Sequence, residues 1–171
     1  MAAPQHVLVA YESRNGGTSE IAEWIGTALR EEGLPATVLP ASTIGTLHPF
    51  TAVVLGSGVY EGRWLRGAVR FAHRNRRDLL ERPVWLFSSG PLDPTVDERD
   101  VPPVPSALGV ADAVDAREHM TFGGRLVSGA RGLLARLILR RGGGGDFRDP
   151  DSVREWAHAI SRELMAEPTP R

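Results

Sequence analysis

Cysteine is absent from the 171 residues. That excludes disulfides, thiolate metal sites, cysteine nucleophiles and cysteine-ligated iron–sulfur clusters, and it fits a reducing compartment. Lysine is absent as well, since all 20 basic residues are arginine. Without lysine there is no Schiff-base chemistry, no pyridoxal phosphate attachment and no Walker-type loop ending in Gly-Lys-Ser/Thr. No run of about 18 apolar residues occurs, so no segment reads as a membrane-spanning helix. Met1 to His6 lack a basic start followed by an apolar core. No signal peptide is read, and the expected location is the cytoplasm. A net charge of −1 leaves no electrostatic footprint for nucleic acid.

What remains is an ordinary globular composition, 42% hydrophobic and 24% charged, of a length that suits one domain. Residues 5–166 are expected to form it, with 167–171 as a disordered tail. Five segments read as strands: His6–Tyr11, Ala36–Leu39, Thr51–Gly56, Val84–Ser88 and, most weakly, Arg117–Phe122. Most are near-continuous apolar runs, as a parallel sheet covered on both faces requires. Helical periods lie between them. Thr18–Glu32 places Ile21, Ala22, Ile25, Ala28 and Leu29 on one stripe, with Gly33 as a stop. Trp64–Leu80 aligns Leu65, Ala68, Val69 and Ala72. Ser106–Val114 is a weaker helix. Pro150–Met165 carries Asp149 as N-cap and a stripe of Val153, Trp156, Ala157, Ile160 and Leu164. This alternation implies a doubly wound α/β domain.

The turn after the first strand, Tyr11-Glu12-Ser13-Arg14-Asn15-Gly16-Gly17-Thr18, runs directly into a helix. Successive backbone N–H groups, the open end of a helix and two hydroxyls converge there, which makes an anion site. Gly16 and Gly17 allow close backbone approach. The spacing is not the GxGxxG dinucleotide fingerprint. Glu12 would repel a phosphate if it pointed inward and is expected to face solvent. The five histidines, His6, His48, His73, His119 and His158, lack metal-ligand spacing, so no metal site is read. No GxSxG elbow is present. No side chain presents itself as a catalytic acid or base.

Tyr11-x-Ser13-x-x-Gly16-x-Thr18-x-x-x-Ala22 resembles the flavodoxin signature. The resemblance implies a flavodoxin-like five-stranded parallel sheet of order 2-1-3-4-5 and FMN as cofactor. Its 5′-phosphate would be wrapped by Ser13, Arg14, Asn15, Gly16, Gly17 and Thr18. In folds of this kind the ligand sits at the switch point of strand order, outside the carboxyl ends of the strands. The isoalloxazine would therefore meet the turns after strands three and four, through Ser57, Gly58, Val59 and Tyr60 and through Ser89 and Gly90. Tyr60 is the candidate for stacking.

One branch, the menaquinone-dependent protoporphyrinogen IX dehydrogenases, is similar over most of the chain. The shared features are Gly56–Arg63, the basic-apolar Ala130–Arg141, Gly144-Gly145-Asp146 and Trp156 in the last helix. The Pro- and acid-rich stretch 91–105 and the run Gly142–Gly145 depart from it. The branch implies a quinone and a porphyrinogen-like small molecule as reactants.

From His119 to Gly145 there is no acid, while Arg125, Arg131, Arg136, Arg140 and Arg141 are all positive. Within it, Arg125–Arg141 reads as an extra amphipathic helix, either packed on the core or lying on an anionic membrane surface. The second reading would make the protein peripheral on the inner face of the membrane. Two alternatives stay open: an electron carrier with a protein redox partner, and a flavin-free binding module of the same fold.

Overall fold

The first strand, β1 (Val7–Glu12), is apolar on both sides, and Val7 to Ala10 are fully buried. A strand of that kind must be central and covered by helices on both faces. In the computed structural model, which describes residues 4–90, 101–126, 145–146 and 148–167, β1 pairs in parallel with β2 (Ala36–Pro40) and β3 (Ala52–Tyr60). The sheet continues through β5 (Val84–Gly90) to β6 (Glu118–Gly123). Its order is β2-β1-β3-β5-β6. With the short β4 (Arg63–Trp64) set aside, this is the expected 2-1-3-4-5 arrangement.

Alternation along the strands sorts side chains into two cores. On one face Val7, Val9, Val54, Trp85 and Phe122 meet α1 (Gly17–Glu31) and the last helix, α5 (Pro150–Ala166). On the other face Leu8, Ala10, Leu55 and Leu86 meet α2 (Arg66–Arg74), α3 (Arg76–Leu80) and α4 (Pro105–Val114). Each fully buried Val, Leu or Ile contributes roughly 1.5–3 kcal/mol. The expected stripes of α1 and α5 are the buried ones. Asp149 caps α5 by accepting the Asp151 N–H at 3.0 Å, and Pro150 opens the helix. Arg148 ties this entry to the head of α1, 2.9 Å from Glu20 and stacked over Trp24.

Several boundaries differ from the sequence reading. The single helix expected over 64–80 is two helices, and it starts later. Glu61 and Gly62 both adopt positive φ, 50° and 72°. That is the geometry of a two-residue hairpin turn. It folds Arg63–Trp64 back as β4 against Tyr60–Val59. The helix breaks at Asn75, whose backbone N–H and side-chain amide both donate to the Phe71 carbonyl, at 3.0 and 2.9 Å.

Strand β3 runs four residues further than its apolar run, so Ser57–Tyr60 are strand and not loop. Ser89 and Gly90 likewise finish β5. Arg125–Leu126, read as the start of an extra helix, form β7, antiparallel to β8 (Gly145–Asp146). The rest of that proposed helix, with Arg131, Arg136, Arg140 and Arg141, lies outside the described residues. So do residues 91–100 of the acidic stretch and 168–171 of the proposed tail. Glu167, assigned to that tail, follows α5 and pairs with Arg117.

Candidate functional site

Carboxyl ends of β1, β3, β5 and β6 converge on one rim of the sheet, and a shallow open cleft lies there. Gly16 stands at the head of α1 with φ 85°, a left-handed conformation that glycine adopts freely. No side chain caps this helix. The first intrahelical bond runs from the Glu20 N–H to the Gly16 carbonyl at 3.2 Å. The N–H groups of Gly17, Thr18 and Ser19 therefore have no carbonyl within the helix, and they stand at its positive end. Ser13, Arg14, Asn15, Gly17 and Thr18 line the cleft beside them.

The second wall comes from β3 and the third from β5. Gly58, Val59 and Tyr60 line the cleft, and Ser89 and Gly90 line it from the neighbouring strand, with Ser89 paired to Gly58. Two close approaches shape these walls. A Cβ on Gly58 would stand 3.2 Å from Thr18 Oγ1. A Cβ on Gly124 would stand 2.8 Å from the carbonyl carbon of Gly90. Bare backbone therefore faces the cleft at both points.

Ten of the twelve residues expected at the site line this cleft; Gly16 and Ser57 do not. Gly16 shapes the turn from behind, and its N–H donates to Ser13 Oγ at 3.0 Å. Ser57 is fully buried on the opposite face of the sheet, because strand alternation turns it away from its glycine neighbours. Its hydroxyl donates to the Gly58 carbonyl at 2.9 Å and accepts the Leu65 N–H at 3.0 Å. Ser57 thus braces the hairpin and does not face the cleft. Leu65 and Gly124 line the cleft without having been expected there. Gly123-Gly124 at the end of the fifth strand was the available signal for the second.

Glu12 borders an open basin outside the turn. It is half-buried, with its carboxylate carbon 2.6 Å from the position a Gly67 Cβ would take. Alternation directs it to the α2 face, where the first-turn amides of α2 favour a carboxylate and where it is turned from the phosphate turn.

A polar network lies under the hairpin. Trp64 Nε1 donates to Ser88 Oγ at 2.7 Å, and Ser88 Oγ lies 2.6 Å from His119 Nε2. Ser88 has one hydrogen to give. With Trp64 donating to it, Ser88 Oγ either gives that hydrogen to Nε2 or accepts one from it, according to the imidazole tautomer. Burial pushes His119 down to about 4, against its own backbone hydrogen bond, which raises it.

The folded value lies below the ordinary one near 6.5, so between pH 6.5 and 4 the unfolded chain binds a proton that the folded chain refuses. This part of the stability is complete above pH 6.5 and declines as the pH falls toward 4. The expected loss is on the order of 2 kcal/mol, after a discount for partial exposure. Urea midpoints at pH 7 and 4.5 measure it, with His119→Gln as reference. Identical pH slopes for both proteins would exclude this origin.

A family model described as a flavodoxin domain matches residues 8–141. The chain belongs to that family. Comparison with curated proteins gives no match. Among solved structures, a cysteine-to-serine mutant of flavodoxin from Pseudomonas aeruginosa is similar at 13% identity and a TM-score of 0.63, covering 95% of this chain and 100% of that one. Flavodoxin 2 from Bacillus cereus has 18% identity and a TM-score of 0.60, with 92% and 99% covered. Rubredoxin oxygen:oxidoreductase from Desulfovibrio gigas has 13% identity and a TM-score of 0.64 over 96% of this chain. The chain spans only 37% of that larger protein. At these identities the likeness establishes the fold.

As a flavodoxin domain the chain takes FMN. The residues present fit that cofactor. The uncapped head of α1 offers amides to a phosphate. Val59, Leu65 and Tyr60 give apolar surface, and the glycine backbones give close approach to a flat ring.

Proposed function

We propose that this flavodoxin domain is an oxidoreductase that passes electrons from a small organic donor to a quinone, as the protoporphyrinogen IX dehydrogenase branch does. Bound FMN supplies the acceptor for a hydride or an electron pair. The first-turn amides of α1, with Ser13 and Thr18, hold the phosphate. Tyr60, Val59 and Leu65 orient the ring. Backbone groups of Ser89, Gly90 and Gly124 face its polar edge.

One observation carries the choice of an enzyme over a simple carrier. Directly after Gly124 at the cleft, the chain enters the antiparallel pair β7–β8, leaving at Leu126 and returning at Gly145. A five-stranded flavodoxin core is complete without this excursion, whose sequence is rich in arginine and free of acid. Arg125, Arg131, Arg136, Arg140 and Arg141 suit an anionic membrane surface, where a quinone resides, or the carboxylates of a porphyrinogen. Among the described residues no helix is long and apolar enough to cross a membrane, so this contact would be peripheral.

The test is anaerobic photoreduction of the purified yellow protein, then reoxidation by a menaquinone analogue in anionic vesicles or by a protein acceptor. Faster reoxidation by the quinone is expected. Exclusive reaction with the protein acceptor would favour a carrier. A colourless protein that takes up no FMN would leave a flavin-free binding module.

A further inference from the structure

Arg14 occupies a turn built to receive a phosphate, and a guanidinium there has an obvious use as the phosphate's counter-ion. Its charge is placed elsewhere. Cζ of Arg14 stands 4.2 Å from the centroid of the Tyr60 ring, a cation–π contact. Among the described residues Arg14 has no acidic partner within ion-pair distance. The phosphate end of the cleft is served by the amides of α1 without it.

Arg14 and Tyr60 also form the boundary between the cleft and a wider basin beyond it. That basin holds Arg63 and Arg66 against Glu12 and Glu61. Glu12 is drawn to the first turn of α2 beside Gly67, so its charge is shared with that helix. Around Tyr60 there are three guanidiniums and two carboxylates, and the guanidinium of Arg14 is the one that lies on the ring.

We infer that Arg14 sets the redox preference of the flavin and is not a phosphate ligand. The inference rests on the FMN reading above. A ring stacked on Tyr60 lies within about one Debye length of the guanidinium, whichever face of Tyr60 it takes. Hydride transfer from an organic donor oxidises the donor and adds one proton and two electrons to the ring. The ring therefore ends one unit more negative. A fixed positive charge favours that reduced form over the neutral oxidised one. Arg14 is a positioning residue for charge: it makes the site a better hydride acceptor without touching the donor.

The experiment uses the full-length, FMN-loaded protein with Arg14→Gln and Arg14→Lys. Midpoint potentials are read against reference dyes, and FMN and riboflavin are titrated into each apoprotein. Arg14→Gln is expected to cost reduced FMN about tenfold in affinity relative to oxidised FMN, a shift of about −30 mV for a two-electron couple. FMN should keep its preference over riboflavin within about twofold. Arg14→Lys should recover most of the potential, and salt should narrow the gap between wild type and Arg14→Gln.

An unchanged potential in Arg14→Gln would overturn the inference. So would a tenfold loss of the preference for FMN, which would make Arg14 a phosphate ligand after all. If Arg14→Gln folds poorly, the salt dependence of the wild-type and Arg14→Lys potentials decides, and salt-independent values refute the assignment. Wild-type protein that takes up no FMN would instead sink the cofactor reading itself.

Discussion

Ser13→Ala combined with Thr18→Ala is expected to weaken FMN binding by about 100-fold and riboflavin binding by less than about threefold. A hydrogen bond to a charged group is worth roughly 1.5–3 kcal/mol, and each 1.4 kcal/mol is about a factor of ten. The lower end applies because the two hydroxyls also have duties within the protein. Ser13 Oγ accepts the Gly16 N–H at 3.0 Å, so its loss also loosens the turn. Thr18 is 4% exposed and packs against the glycine wall of β3. Riboflavin lacks the phosphate and should register only the loosened turn. Flavin fluorescence titrations of wild-type and double-variant apoprotein measure both constants. Equal losses for the two flavins would place the phosphate away from this turn.

Gly56→Ala is expected to cost about 3 kcal/mol of stability. A Cβ at this position would stand 2.0 Å from Cζ of Phe87, with two further ring atoms within 2.4 Å. Phe87 has no room to withdraw. It is fully buried, with ring centroids of Phe122 and Trp156 at 6.2 and 6.3 Å. Overpacking of this kind costs about 1–3 kcal/mol, and more where backbone must shift. For a chain of this size the melting temperature should fall by about 6–12 °C. Phe87→Leu in the same chain should recover part of the loss by opening space at the ring. A Gly56→Ala protein that melts within about 2 °C of wild type would show that β3 and β5 pack differently.

The sequence exposed the features that repeat along the chain or act within a few residues. Apolar runs at Val7–Ala10 and Val84–Phe87 announced central strands, the stripe from Ile21 to Leu29 announced α1, and Asp149-Pro150 announced the start of α5. The phosphate turn was readable because strand, glycines and helix follow one another without a gap. Features that depend on register were not readable. Ser57 precedes Gly58 of the cleft wall and faces the other way, which follows only once β3 is known to continue past its apolar run. The Trp64–Ser88–His119 network joins residues on three strands, and no local spacing encodes it. Gly124 reaches the cleft because β6 is paired with β5 in the register that sets Gly123 beside Gly90. The Glu61–Gly62 turn was hidden by the helical pattern that follows it, although Gly62 marks the place.

Because the cleft draws on residues 13–15, 17–18, 58–60, 65, 89–90 and 124, it is complete only when most of the chain is in place. The head of α1 lies near the N-terminus and forms with its neighbours β1 and β2. The opposite rim closes only when β6 adds to β5 at the edge of the sheet and brings Gly124 against Gly90. A domain of this kind folds as a unit. A chain cut short of β6 would lack the rim that Gly124 and Gly90 form. The groove that would hold a ring therefore requires the sheet to be complete through its edge strand.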